Sequence, residues 1–175
     1  KEMPGFAMRC VRRQIRKAIL KIDCPMVTTE AFEIRTFRPD DAEQLLRLMQ
    51  QLAEFEGYLD KLTVKETDLI AHGTGPSPKF QAFVAHLEDS STLIGMAVTY
   101  LIPWTYDLKP TLVLKELFVD EHWRGRTVGL SLMKAVAKHG VSEGAGCLQW
   151  NVLPSNSKAE RFYRSLGGIR DPDWD

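Results

Sequence analysis

Two stretches of the chain hold residue types whose spacing could do chemistry. The first is L-K-E-L-F-V-D-E-H-W-R-G-R-T-V-G-L-S-L-M, Leu114 to Met133. A buried strand there runs into a glycine-containing loop that opens a helix. Such a junction aims unpaired backbone N–H groups and the positive end of the helix dipole at one point, which is what holding a pyrophosphate requires. Arg124 and Arg126 add positive charge. A solvated strand-to-helix connection carries the same residue types, so the pattern alone leaves both readings open. The second stretch is N-x-x-A-x-x-F-Y-R-S-L-G, Asn156 to Gly167. Asn156 is placed to cap a helix whose Phe162 and Leu166 face inward, and Tyr163 falls at the edge of that stripe. A phenol in that position either reaches a cleft as a weak acid or seals the core as a boundary aromatic.

Other chemistries lack their signatures. The loop ends in no Lys-Ser/Thr pair and is not G-x-G-x-x-G, and no G-x-S-x-G marks a nucleophilic serine. His72, His86, His122 and His139 show no metal-ligand spacing, so they read as surface or internally satisfied residues and no metal is expected. Cys10, Cys24 and Cys147 form no C-x-x-C pair, which suggests neither a disulfide framework nor a zinc site and fits a reducing cytoplasm. Leu93 to Trp104, the longest mainly apolar stretch, falls short of the roughly 20 residues that cross a bilayer.

The elements that must position these residues follow from the pattern of apolar and turn residues. With 175 residues, 44% hydrophobic and 26% charged, the chain has the make-up of one soluble domain with one core. The alternation F-E-I-R-T-F from Phe32 predicts a strand. R-P-D-D-A-E then predicts a turn with Asp40 as helix cap and Glu43 three residues on. Ala42, Leu45, Leu46, Met49, Leu52 and Ala53 form the apolar stripe of the helix that follows. A second helix is signalled by Thr63-x-x-Glu66 and stops at Gly73. Phe80–Leu87, Leu93–Leu101 and Thr111–Val119 read as three strands of an antiparallel meander. A helix carrying Leu132, Met133, Val136 and Ala137, with Gly140 beyond it, leads to a strand at Leu148–Leu153 and the helix Asn156–Leu166. The expected fold class is α+β in three layers, with a mixed, mostly antiparallel sheet flanked by helices.

Lys plus Arg and Asp plus Glu number 23 each, so the whole chain has no electrostatic pull toward nucleic acid or membrane. Residues 1–24 nevertheless carry seven basic side chains against Glu2 and Asp23. Met8, Val11, Ile15, Ala18, Ile19 and Ile22 recur there at helical spacing. Residues 1–25 therefore read as a basic extension: an upstream segment outside the domain, a membrane-surface or targeting helix, or a helix docked on the domain. The domain itself is expected over residues 26–175.

Taken together and in this order, the two stretches resemble the GNAT superfamily of acetyl-CoA-dependent N-acetyltransferases. Arg124-Gly125-Arg126-Thr127-Val128-Gly129 matches its Arg/Gln-x-x-Gly-x-Gly/Ala loop except that Thr127 stands at the fourth position, where the family has glycine. Asn156-x-x-Ala159-x-x-Phe162-Tyr163 matches its second motif fully. Leu52–Glu56, Thr67–Gly73, Lys115–Val119 and Phe162–Gly168 look like the diamine (spermidine/spermine) branch, so similarity runs from about Phe32 to Asp173. The resemblance implies a GNAT-like fold, acetyl-CoA as co-substrate, a small-molecule amine as partner and a homodimer. It places the pyrophosphate on Arg124–Leu130, with Asn156, Ala159 and Tyr163 completing the co-substrate site. Backbone groups of Leu117, Phe118 and Val119 pair with the pantetheine arm. It assigns Tyr163 as the acid, Glu116 as the base, and Phe55, Glu56, Glu116, Gln149 and Trp150 to the acceptor.

Three departures accompany the resemblance. The branch has two consecutive acids before the end of the central strand, and Lys115 replaces the first while Glu116 keeps the second. Thr127 replaces a glycine. The final family strand beyond Asp173-Trp174 has no counterpart, so truncation, substitution by the N-terminal segment, or a strand from a partner is expected. The alternatives are a non-catalytic acyl-CoA-binding module, an acetyltransferase acting on a protein or peptide amine, and an interaction protein built on the basic helix.

Overall fold

The computed structural model describes residues 8–11, 32–88, 90–103 and 107–169. Six strands, β1 (Met8–Val11), β2 (Phe32–Thr36), β3 (Gln81–Leu87), β4 (Leu93–Ile102), β5 (Thr111–Val119) and β6 (Cys147–Asn151), take the order β1-β6-β5-β4-β3-β2. Helices α1 (Ala42–Glu56) and α2 (Glu66–Gly73) follow β2, α3 (Val128–Ser142) follows β5, and α4 (Ser157–Ser165) follows β6. The pairs β2/β3, β3/β4 and β1/β6 are antiparallel and β5/β6 is parallel, which is the mixed sheet that the element pattern predicts. The chain divides into two compact units, one of residues 26–100 and 116–136, the other of residues 1–25, 101–115 and 137–175.

In the first unit, α1 buries Leu45, Leu48, Met49 and Leu52 in a cluster with Val84, Met96, Val98 and Phe118. Each such side chain contributes about 1.5–3 kcal/mol on leaving water. Leu48 takes the fully buried place expected of Leu46, which is only partly buried. Gly95 of β4 marks the closest approach of α3: a Cβ there would lie 3.1 Å from the Phe118 carbonyl and 3.2 Å from a Leu132 methyl.

Both expected helix starts shift along the chain. Before α1 the carboxylate of Asp41, rather than Asp40, accepts the Arg38 N–H at 2.8 Å, and a short 3-10 turn at Pro39–Asp41 leads into the helix. Before α2 the box forms at Lys65 and Asp68 instead of Thr63 and Glu66, with the Lys65 N–H donating to Asp68 at 2.9 Å. The acid in each case is the one whose short side chain folds back on the preceding turn.

In the second unit, Thr111–Leu114 of β5 pair with Cys147–Trp150 of β6. On the other side of β6, Met8 to Val11 pair with Asn151 to Leu148. Helical spacing from Met8 therefore does not produce a helix over β1. An unpaired strand edge offers a row of backbone donors and acceptors, and joining it satisfies groups that weak side-chain periodicity in a short segment does not. Ile15, Ala18, Ile19 and Ile22 of that stripe, together with Cys24, Asp173 and Trp174, lie outside the described residues. Gly140 falls inside α3 rather than beyond it, and the chain turns at Gly144, with φ +67°. As expected, Asn156 caps α4, its side-chain oxygen accepting the Ala159 N–H at 3.0 Å.

Candidate active site

The junction of β5 and α3 is tightly specified. The Asp120 N–H donates to the Ile94 carbonyl at 3.0 Å, and its carboxylate accepts the His122 N–H at 3.1 Å, which sets the 3-10 turn Glu121–Trp123. The chain then passes through two left-handed residues, Gly125 at φ +77° and Thr127 at φ +71°. Glycine adopts this conformation freely, whereas a β-branched residue held there is strained. Thr127 therefore keeps the backbone path that its position in the loop demands, against its own preference. Its Oγ1 is buried without a hydrogen bond among the described residues, and its carbonyl accepts the Ser131 N–H at 2.9 Å, the first bond of α3. A helix head presented by Val128, Gly129 and Leu130, beside an orphaned hydroxyl and two exposed arginines, is a donor set that fits a pyrophosphate.

The two arginines lie on aromatic rings. Arg124 donates from Nε to the Val119 carbonyl at 2.9 Å, and its guanidinium carbon sits 5.4 Å from the Phe118 ring centroid and 6.0 Å from that of Phe55. Arg126 lies 5.1 Å over Trp123. Phe55 is 59% exposed, whereas Phe118 is 7% exposed.

In the same unit, α1 ends at Gly57, φ +78°, and the Tyr58 N–H returns to the Ala53 carbonyl at 2.8 Å. That C-terminal turn folds Tyr58 back toward the helix end. Burial first, then the negative charges of Glu116 and Glu56, push the Tyr58 phenol up from 10.0 to about 12. It therefore stays a neutral hydrogen-bond donor beside two carboxylates. Sequence reasoning missed Tyr58; the available signal was a helix-stop glycine that brings the next residue back toward the chemistry. Lys115 is exposed and Glu116 half-buried, as alternation along β5 requires, and Glu116 Oε2 is buried. The unit thus gathers Phe55, Glu56, Glu116, Leu117, Phe118, Val119 and the loop Arg124–Leu130.

The second unit holds Gln149, Trp150, Asn156, Ala159 and Tyr163. Trp150 is 5% exposed, and the Tyr163 ring stacks on it with centroids 4.7 Å apart and planes tilted by 31°. Phe162 meets Tyr163 edge-on at 5.2 Å. Phe162 and Leu166, expected to face inward, are only half-buried, as is Tyr163. Gly168 closes this corner, its N–H donating to the Tyr163 carbonyl at 2.8 Å, and a Cβ there would lie 2.7 Å from the same oxygen. Trp150, Val152, Glu160, Tyr163, Arg164, Gly168 and Ile169 line a small recess.

The histidines are dispersed, with His86 on Glu33 at 3.2 Å, His122 on Asp120 at 3.1 Å and His139 near Glu143 at 3.8 Å. Among the described residues no group of three or more metal-ligating side chains occurs, and no helix is long and apolar enough to cross a membrane.

Strand β5 runs into a loop whose donors fit a pyrophosphate, and a capped helix carrying a tyrosine follows later in the chain. The chain belongs to the acetyltransferase (GNAT) family, which it matches over residues 43–167. Its reaction class is accordingly N-acetyl transfer. It is 29% identical over 140 residues to thialysine N-epsilon-acetyltransferase of Sus scrofa, covering 77% of this chain and 82% of that protein. It is 26% identical over 145 residues to human spermidine/spermine N(1)-acetyltransferase-like protein 1, covering 79% of this chain and 20% of that longer one. In fold it is similar to the aminoglycoside N-acetyltransferase AAC(6')-Iy solved in complex with CoA, with a TM-score of 0.63, 20% identity, and coverage of 84% of this chain and 92% of that one.

Proposed function

We propose that the chain moves the acetyl group of acetyl-CoA to a primary amine of a small molecule: a diamine, a polyamine or an amino-acid-like amine. The observation that carries the acceptor class is the Phe55–Phe118 pair, which already accommodates a cation, beside Glu56, Tyr58 and Glu116. Aromatic faces and carboxylates together favour an ammonium. The two relatives named for amine acceptors support the same class.

Arg124–Leu130 would hold the pyrophosphate through the backbone at the head of α3, and Leu117, Phe118 and Val119 would pair with the pantetheine arm. Acetyl-CoA brings the thioester. The chain's residues orient the amine and move its protons. An aliphatic amine with a pKa near about 10.4 is protonated at neutral pH, and Glu116 accepts the proton that must leave before attack. The nitrogen then bonds to the thioester carbon, the C–S bond breaks, the Tyr163 hydroxyl protonates the departing thiolate, and the surplus proton released by the acylated nitrogen restores the phenol through solvent. Holding both substrates at once supplies much of the rate. Gln149 and Trp150 belong to the acceptor side in this reading, and a homodimer accompanies it.

The test is thiol release from acetyl-CoA by the full chain across diamines, polyamines, thialysine, amino acids and short peptides, with a no-acceptor control. Release with one small-amine class is the expected result. Release only with peptides would move the acceptor to proteins. Silence with a retained CoA-induced rise in melting temperature would leave a binding module.

A further inference from the structure

Within the turn that ends α1, Tyr58 alone goes inward. Residues 54–57 and 59–61 are exposed, whereas Tyr58 is half-buried. Gly57, at φ +78°, reverses the chain, and the Tyr58 N–H closes on the Ala53 carbonyl at 2.8 Å. That turn lies against β5. Phe55 and Phe118 meet the same Arg124 guanidinium, at 6.0 and 5.4 Å, and Phe118 shares the core cluster with Met49 and Leu52 of α1. Glu116 precedes Phe118 by two residues and so takes the same face of the strand. Its Oε2 is buried. The phenol thus comes to the carboxylates of Glu116 and Glu56, whose charges act on it.

Burial and these two negative charges push the phenol up to about 12, so it keeps its proton at neutral pH. A neutral phenol beside carboxylates directs its O–H toward an anion, which leaves the oxygen lone pairs to accept from another group. We infer that Tyr58 is a specificity-determining residue for the acceptor: its phenol oxygen accepts one N–H of the ammonium while Glu116 accepts another. The inference rests on the acceptor class proposed above. Aromatic faces and carboxylates attract any cation, whatever its substituents. A hydrogen-bond acceptor held beside them makes the number of N–H donors matter. An ammonium with two or more satisfies both partners, and one with a single N–H satisfies only one of them. Tyr58 therefore selects primary amines against tertiary amines of the same charge.

Calorimetric titration of the full chain, saturated with non-acetylated CoA so that no turnover occurs, compares butane-1,4-diamine with its N,N,N′,N′-tetramethyl analogue. The two carry equal charge at neutral pH, but each ammonium of the second has a single N–H. Tyr58→Phe keeps the ring and its packing and removes only the oxygen. Its affinity for butane-1,4-diamine falls about tenfold, the scale of one hydrogen bond to a charged group, while that for the tetramethyl analogue changes less than about twofold. Affinity for CoA stays within about twofold of wild type. An equal loss for the two amines, or no loss for either, overturns the proposal while the acceptor class stands. A loss of CoA affinity of about tenfold also overturns it, since the phenol then supports the fold instead of the acceptor. If the wild type binds neither amine, the acceptor class fails with it.

Discussion

Tyr163 keeps its ring stacked on Trp150 and edge-on to Phe162. Tyr163→Phe preserves both contacts and removes only the hydroxyl. Turnover should fall by about 10²–10⁴-fold, the usual contribution of a positioned proton donor, with CoA affinity within about twofold of wild type by calorimetry. Turnover like the wild type's would remove Tyr163 as the acid. Thr127 is the opposite kind of residue, since it holds a φ of +71° that favours glycine and buries a hydroxyl without a partner among the described residues. Thr127→Gly relieves strain and removes the orphaned group, and the added freedom of the unfolded chain offsets only part of that gain. Denaturant unfolding should show a stabilisation of about 1–2 kcal/mol. A destabilised variant would mean that the Thr127 side chain supports the loop.

At the scale of elements, the junction of β2 and α1 rests on one ion pair. Arg35 meets Asp41 with Nη1–Oδ2 at 2.6 Å and Nη2–Oδ1 at 2.9 Å, with the carboxylate side chain only 7% exposed. Burial works to raise the Asp41 pKa, but the hydrogen bonds from Arg35 and from the Arg38 N–H, with the charges of both arginines, leave it below 3.8. For Arg35, the hydrogen bond to Asp41 outweighs burial and lifts the guanidinium above its ordinary value. Because the folded carboxyl titrates lower than the unfolded one, its contribution is fully present above the unfolded value of about 3.9 and is lost as pH falls through the folded value. The arginine's contribution fades only above its ordinary range. Asp41→Asn should therefore cost about 2–4 kcal/mol at pH 7, because it leaves a partly buried guanidinium without its partner. The deficit should shrink below about pH 4, read from denaturant midpoints across pH. A deficit independent of pH would place the effect in packing.

At the scale of the whole molecule, β1 is the strand that covers the outer edge of β6 among the described residues. Four residues of antiparallel pairing contribute about 1–3 kcal/mol. They also cover backbone groups that recruit other strands. Removing residues 1–11 should lower stability by that amount and give concentration-dependent association by sedimentation velocity. An unchanged midpoint and sedimentation coefficient would show that β6 does not depend on β1.

Much of this protein was legible in its residues because the signals are local. Alternation marked the strand at Phe32, the residue types of Phe80–Leu87, Leu93–Leu101 and Thr111–Val119 marked the next three, and Asn156 marked the start of α4 through a bond spanning only three residues. The β5–α3 loop carries arginine, glycine and a helix head in one short run, which suggested a pyrophosphate site beside the plainer reading of a solvated connection. The departure at Thr127 was visible as a residue type. Its cost was not, because strain is a property of φ and of what surrounds the hydroxyl. Asp41 and Asp68 displaced the expected caps because neighbouring backbone decides which acid folds back. Met8 to Val11 kept a helical spacing and became strand, since an edge formed by a segment more than a hundred residues away supplies the stronger set of partners. The sequence by itself determined the class of chemistry and, from Phe32 onward, the order of the main strands and helices. Only the tertiary structure brought Arg124 to Phe55, Tyr58 to Glu116 and β1 to β6, because those contacts join residues remote in the chain and no local pattern encodes them.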